Sequence, residues 1–259
     1  GPRLYGLVRL DPTGEDSYRV NRYRHDPNDR YSISDESIYD IYEDSRQRIW
    51  LCTYGGGLNC IIDPTQSKLR FLHHGNELKN WPSEHCFNTR KVMEVQGAML
   101  VGTTHGLVPF DPVFDDPAEI RFYINRLQPN DSSCLLSNDI HSIFTDSRGE
   151  SYVMSFTGGI SRILSGDLLS ENIRFRNYNI KDGLSSELAH TMVEDKAGML
   201  WIVFENAIDR FNPNTGEIDS YGEPLRYYTE ARPIFHGDEL VVATIDGLAY
   251  IRTQSLYKS

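Results

Sequence analysis

Apolar and polar residues alternate along this chain in runs of four to eight, and each run ends at a turn signal. One stretch shows the pattern in full. Ser37-Ile38-Tyr39-Asp40-Ile41-Tyr42-Glu43-Asp44 reads as a strand and Ser45-Arg46-Gln47-Arg48 as a polar turn. Residues 49–53 read as a second strand. Tyr54-Gly55-Gly56 then forms a turn in which glycine admits positive φ. A third strand follows over 57–62. Asp63-Pro64-Thr65 is a turn with φ preset by proline, and 69–72 is a fourth strand. Four antiparallel strands in about fifty residues make one small sheet.

The same phrase recurs. Ile49-Trp50-Leu51-Cys52-Thr53-Tyr54-Gly55-Gly56-Gly57-Leu58 returns as Leu100-Val101-Gly102-Thr103-Thr104-His105-Gly106-Leu107 and as Tyr152-Val153-Met154-Ser155-Phe156-Thr157-Gly158-Gly159-Ile160. A worn copy is Leu200-Trp201-Ile202-Val203-Phe204-Glu205-Asn206-Ala207-Ile208, and another is Leu240-Val241-Val242-Ala243-Thr244-Ile245-Asp246-Gly247-Leu248. Tyr5-Gly6-Leu7-Val8-Arg9 is a truncated copy at the start. The steps are about fifty residues, falling to about forty at the end, a period that indicates stacked small sheets. Asp44, Asp146 and Asp195 hold one place in three copies. Asp-Pro or Asn-Pro turns recur at Asp11-Pro12, Asp63-Pro64, Asp111-Pro112 and Asn212-Pro213.

The second strand is apolar on both faces. Trp50 and Cys52 point one way and Ile49 and Leu51 the other. A sheet wetted on one side alternates more cleanly, so each sheet is expected to lie between two others, as in a β-propeller. The expected fold is all-β: a propeller of four-stranded antiparallel blades, about five blades plus a half, forming part of a seven-bladed ring. The expected boundaries are a partial blade over 1–30 and blades at 31–75, 76–126, 127–180, 181–223 and 224–259, with 254–257 as a weak last strand. An open arc leaves two sheet edges exposed, so the chain is expected to be a piece of a longer propeller. Trp50 and Trp201 are expected to fill the gaps between blades, at a cost of about 3–5 kcal/mol each if truncated to alanine.

A chain of 259 residues is long enough for a large core. A net charge of −11 argues against nucleic acid as a partner and against an anionic membrane surface. No apolar run approaches the ~20 residues that span a bilayer. Cys52, Cys60, Cys86 and Cys134 lack zinc-type spacing; the first two flank one hairpin and could face each other, though small buried apolar residues are the simpler reading.

Residues 38–58, 140–160 and 189–208 together resemble the two-component-regulator propeller repeat, whose pattern is Ile-x-x-Ile-x-Glu-Asp-x-x-Gly-x-x-Trp-Ile-Gly-Thr-x-x-Gly-Gly-Leu. Gln47, Gln96-Gly97 and Phe204-Glu205-Asn206-Ala207 depart from it in their turns. The resemblance implies a ligand-sensing, non-catalytic module of a membrane-anchored hybrid two-component system, of the kind found in gut Bacteroides and lying in the periplasm. It implies as partners an oligosaccharide ligand, a second propeller, a linking β-sandwich and a homodimeric parent. No cofactor is expected.

Two carboxylates can hydrolyse a glycoside when ~5–10 Å apart. The pairs Glu43-Asp44 and Glu194-Asp195 belong to the repeat, however, and read as turn acids accepting backbone hydrogen bonds. The Asp-box of sialidases has one residue between aspartate and glycine; Asp146 to Gly149 and Asp195 to Gly198 have two. His73-His74 with His85 lack a metal-ligand pattern and read as solvated loop, so no metal is expected. Residues that repeat hold the scaffold, and those that vary at equivalent loops are free to read a ligand. The second-to-third-strand turns supply Tyr54, His105, Phe156, Glu205, Asn206 and Asp246; the links between blades supply Trp81, His85, Asn138 and Glu187. Aromatic faces and Asn, Asp, Glu and His hydrogen bonds suit sugars. Trp81 leads the set, because a tryptophan exposed on a loop is costly without a use. A lyase or hydrolase built on Glu205 and His105, or an assembly platform, is the competing reading.

Overall fold

The computed structural model describes residues 5–221 and 227–253. The expected strand at 254–257 lies outside them. Among the described residues the regular structure is strand, apart from two single-turn 3-10 helices at Pro117–Glu119 and Ile180–Asp182. Six antiparallel sheets follow one another in chain order. The first is a hairpin of β1 (Leu7–Gly14) and β2 (Ser17–Tyr23). The second joins β3 (Ile38–Glu43), β4 (Ile49–Thr53) and β5 (Gly57–Ile61). The third joins β6 (Thr89–Val95), β7 (Ala98–Thr103) and β8 (Gly106–Phe110). The fourth joins β9 (Ile140–Thr145), β10 (Ser151–Ser155), β11 (Ile160–Ile163) and β12 (Phe175–Tyr178). The fifth joins β13 (Ala189–Glu194), β14 (Leu200–Phe204), β15 (Ile208–Phe211) and β16 (Ile218–Tyr221). The sixth joins β17 (Ile234–His236), β18 (Glu239–Thr244) and β19 (Gly247–Arg252).

Among the described residues only the fourth and fifth sheets have four strands; the first has two and the second, third and sixth have three. The expected strand over 69–72 is one bridge, Cys60 to Leu72, closed by N–H to O bonds of 2.9 and 2.8 Å. Its counterpart in the third sheet is two bridges, Leu107 to Asn125 and Phe110 to Phe122. Long connections return the chain to the edge only briefly there. The Asp11-Pro12 segment is not a turn but the end of β1, with Pro12 opposite Tyr18. A two-stranded ribbon has open edges, which tolerate a residue lacking N–H.

The chain divides into two compact units, residues 1–125 with 167–171, and 126–166 with 172–259. In the first, β4 is buried on both faces. Trp50 and Cys52 join Val92, Met99, Val101 and Phe110, while Leu51 joins Ile33, Ile61, Leu69 and Phe71. The Trp50 ring lies 5.0 Å from Phe110 of the next sheet. In the second unit, Leu200, Ile202 and Phe204 of β14 pack with Tyr152 and Met154, and Trp201 and Val203 with Leu240 and Val242. Both tryptophans therefore sit between sheets, as the two-sided apolar pattern requires. The four cysteines are buried thiols. Register places Cys52 opposite Leu58 and Cys60 opposite Trp50, so the two do not face each other. Burial raises both thiols' pKa.

The recurring aspartates build the turn after the first strand of the second, fourth and fifth sheets. Asp44 Oδ1 accepts from the N–H of Arg46 and Arg48, and its Oδ2 accepts from Trp50 Nε1 at 2.8 Å. Asp195 does the same with Ala197, Met199 and Trp201. Asp146 binds the N–H of Arg148 and Glu150, and with Tyr152 in the tryptophan's place it also takes the Arg148 guanidinium. Glutamates at the ends of first strands clamp neighbouring sheets: Glu94 accepts from Ser45, and Glu194 from Ser147. Gln47 and Gln96 occupy left-handed turn positions at φ 63° and 50°.

Candidate functional site

The first strand of four sheets carries the same irregularity. Pairing steps from Ile38 to Asp40, Thr89 to Lys91, Ile140 to Ser142 and Ala189 to Thr191, each time skipping one residue. The skipped residues are Tyr39, Arg90, His141 and His190. An extra residue of this kind bends the strand and re-aims its side chain, a device frequent beside functional sites. The identities of the four are tyrosine, arginine and, in the last two of these sheets, histidine.

In the first unit the displaced side chains meet turn residues. Tyr39 stacks on Tyr54 at 5.1 Å, and the Arg90 guanidinium lies 5.6 Å from the Tyr54 ring. His85 stacks on His105 at 6.2 Å. Trp81 overturns its expectation. It is 3% exposed, donates from Nε1 to the Cys86 carbonyl at 3.0 Å and packs edge-on against Phe122. A Cβ on Gly57 would lie 2.6 Å from that indole nitrogen, so the tryptophan is core filling for the glycine turn. Sequence placed it in a loop; the apolar gap beneath that loop drew it in. His73 is likewise structural: its ring bonds the Ser32 carbonyl and the Gly75 N–H. Burial, helped by the neighbouring His74, pulls its pKa down to about 4.

The second unit holds a more developed site. An open pocket of about 720 Å³ is lined by His190, Glu205, Tyr227, Glu230 and Ile245, over a wall of Tyr228, Thr229 and Ala231. Glu205 comes from the β14–β15 turn and Ile245 from the β18–β19 turn. The loop carrying Tyr227 and Glu230 is strapped down by three backbone bonds: Tyr228 N–H to Glu205 O, Thr229 N–H to Ala243 O and Ile245 N–H to Tyr227 O. Tyr228 is buried between sheets while Tyr227 is 53% exposed. His141 stands beside the pocket, its ring edge-on to Phe156 at 4.9 Å and its Nε2 3.0 Å from the His190 carbonyl. A carbonyl only accepts, so Nε2 carries the proton in that bond. His190 Nδ1 is buried with no hydrogen-bond partner among the described residues.

Glu205 lines the pocket itself, while Phe156 packs on His141 outside the lining. Asn206 and Asp246 are exposed beside the turns but outside the lining. Asn138 accepts from the Leu127 N–H, and the Glu187 carbonyl accepts from Gly159, so both organise loops. His190, Tyr227 and Glu230 escaped sequence reading. The first lay inside a strand, and the others lie in an irregular link whose fold depends on the turns beneath it. Two imidazoles, two carboxylates and an open tyrosine face can bind polar ligands or exchange protons with them.

Residues 32–55 match the two component regulator propeller family. No curated protein sequence matches the chain. Among solved structures, the chain is similar to the extracellular domain of BT4673 from B. thetaiotaomicron, described as a hybrid two component system. The TM-score is 0.57 and the identity 20%, over 95% of this chain and 39% of that one. It is also similar to PorZ, a surface component of the type-IX secretion system of Porphyromonas gingivalis. There the TM-score is 0.63 and the identity 15%, over 97% of this chain and 36% of that one. A catalytically inactive virginiamycin B lyase from Staphylococcus aureus matches with a TM-score of 0.56 and 14% identity, over 97% of this chain and 85% of that one. These likenesses fix the fold class as an all-β propeller, and the chain spans well under half of the first two relatives.

Proposed function

We propose that this chain is the ligand-sensing, non-catalytic propeller module of a membrane-anchored signalling protein, and that it responds to oligosaccharides on the periplasmic side. The observation that carries the reading is the pocket of the second unit. Its scaffold residues repeat from sheet to sheet, while Glu205 is an odd residue in the repeating turn and Tyr227 and Glu230 come from an irregular link. An exposed tyrosine face with carboxylates and imidazole around it suits a sugar ring and its hydroxyls. The matched repeat and the likeness to an extracellular sensor domain support the same reading. Signalling then requires unequal affinity for two arrangements of the parent, in which a second propeller, a linking β-sandwich and a dimer partner take part.

A catalytic reading has one observation in its favour: His190 and Glu205 line one pocket, and a propeller lyase is among the similar folds. Calorimetry against an oligosaccharide panel, paired with assays for new reducing ends and new unsaturated products, separates the two. Saturable heat without turnover is expected, weakened at least tenfold by Tyr227→Ala. Turnover abolished by Glu205→Gln refutes the sensor assignment.

A further inference from the structure

We propose that His141, His190 and Glu230 hold one divalent transition-metal ion of the zinc class at the wall of the second unit's pocket. One ligand atom from each of the three lies within 4.8 Å of the other two. Donors around a tetrahedral ion at about 2.0–2.2 Å sit roughly 3.3–3.6 Å apart, so a small side-chain adjustment closes the site. The three are held by unlike supports that converge. His141 and His190 are the displaced residues of adjacent first strands, β9 and β13, and Glu230 rides on the strapped loop.

The surroundings match a metal ligand's needs. A ligating histidine commonly gives its second ring N–H to a carbonyl, which fixes the tautomer. His141 does so toward the His190 carbonyl at 3.0 Å. His190 Nδ1 bonds nothing among the described residues, so that end of the ring is not committed to holding the fold. Two neutral imidazoles and one carboxylate carry one negative charge, and imidazole selects zinc, nickel, copper or cobalt over magnesium or calcium. His190 and Glu230 both line the pocket, so coordination positions beyond these three face its open space. Oxygen atoms of a ligand can fill them. The histidines singled out by sequence spacing, His73, His74 and His85, lie in the other unit and take no part.

The test is titration of the untagged, chelator-treated chain with Zn²⁺ alone, followed by calorimetry, and with Co²⁺, followed by visible absorption. Expected are one site per chain, proton release, and no comparable heat with Mg²⁺ or Ca²⁺. Glu230→Gln, at an exposed position, should weaken binding at least tenfold without altering circular dichroism, and His141→Gln by more. His74→Gln should leave it unchanged. Absence of Zn²⁺ binding, or binding that survives both Glu230→Gln and His141→Gln, overturns the proposal. No sugar enters this titration, so its outcome is independent of the oligosaccharide reading.

Discussion

Replacing Asp44 and Asp146 by asparagine, one at a time, separates two duties of the recurring acid. Both carboxylates accept two backbone N–H groups at 2.9–3.0 Å, and both hold an arginine. They differ in where the arginine sits. The Arg48 side chain is 8% exposed, its Nη2 2.7 Å from both Asp44 and the Pro112 carbonyl, with the guanidinium 4.5 Å from the Phe114 ring. The Arg148 side chain is 34% exposed and also bonds Asn214. Asparagine keeps an oxygen for the backbone donors and loses the charge. Arg48 is then a buried cation without its counter-ion, and Trp50 Nε1 meets an amide nitrogen or forces it aside. Such a loss costs about 3–5 kcal/mol. Arg148, unlike Arg48, turns to water, and a pair whose cation can be solvated is worth about 1 kcal/mol. The expected gap is about 2–4 kcal/mol in urea unfolding, followed by tryptophan fluorescence and by hydrogen exchange of β4 and β10. Acid erases the contrast. Burial pushes the Asp44 carboxyl up, but hydrogen bonds from Trp50 and Arg48 and the Arg48 charge outweigh it and hold its pKa below the ordinary value. Its contribution is therefore present above about pH 4 and lost as pH falls through the lower folded value. Equal losses at the two positions, or a larger one at Asp146, would refute the assignment of Asp44 as a buried charge node.

His73 governs a different pH window. Its folded pKa of about 4 lies below the unfolded 6.5, so stability is full above pH 6.5 and declines as pH falls toward 4. Water on its open side limits the loss to roughly 2 kcal/mol. His73→Gln should flatten the stability profile between those values, and an unchanged slope would exclude His73 as its source. Trp81→Ala should destabilise by about 3–5 kcal/mol as a core truncation, whereas Tyr227→Ala should change stability by under 1 kcal/mol; chemical denaturation measures both. Gly57→Ala drives a Cβ into Trp81 at positive φ and should cost several-fold more than Gly237→Ala, where φ is also positive but the space is open, about 1 kcal/mol. Similar midpoints for the two would contradict the close approach.

The repeat made much of the scaffold legible. Two-sided apolar strands such as Ile49-Trp50-Leu51-Cys52 can be satisfied only between two other sheets, and an aspartate six residues before a tryptophan marks the turn that ties them. Those relations are local and recur, so one chain displays them several times. The site was legible in part, since Glu205 is an odd residue in a repeating turn. His141 and His190 were hidden because a one-residue shift of strand pairing, invisible in the alternation of apolar and polar positions, redirects them. Trp81 and Glu230 were decided further still from local sequence. An irregular link has no period of its own, so the cavity beneath it, filled or open, determines which side chain is swallowed and which is presented. Sequence alone determined the repeating sheets, their tight turns and the acid–tryptophan ties, because each depends on residues close together in the chain. Only tertiary packing decided which histidines meet which carboxylate, because that depends on where strand pairing slips and which loop lies over the result.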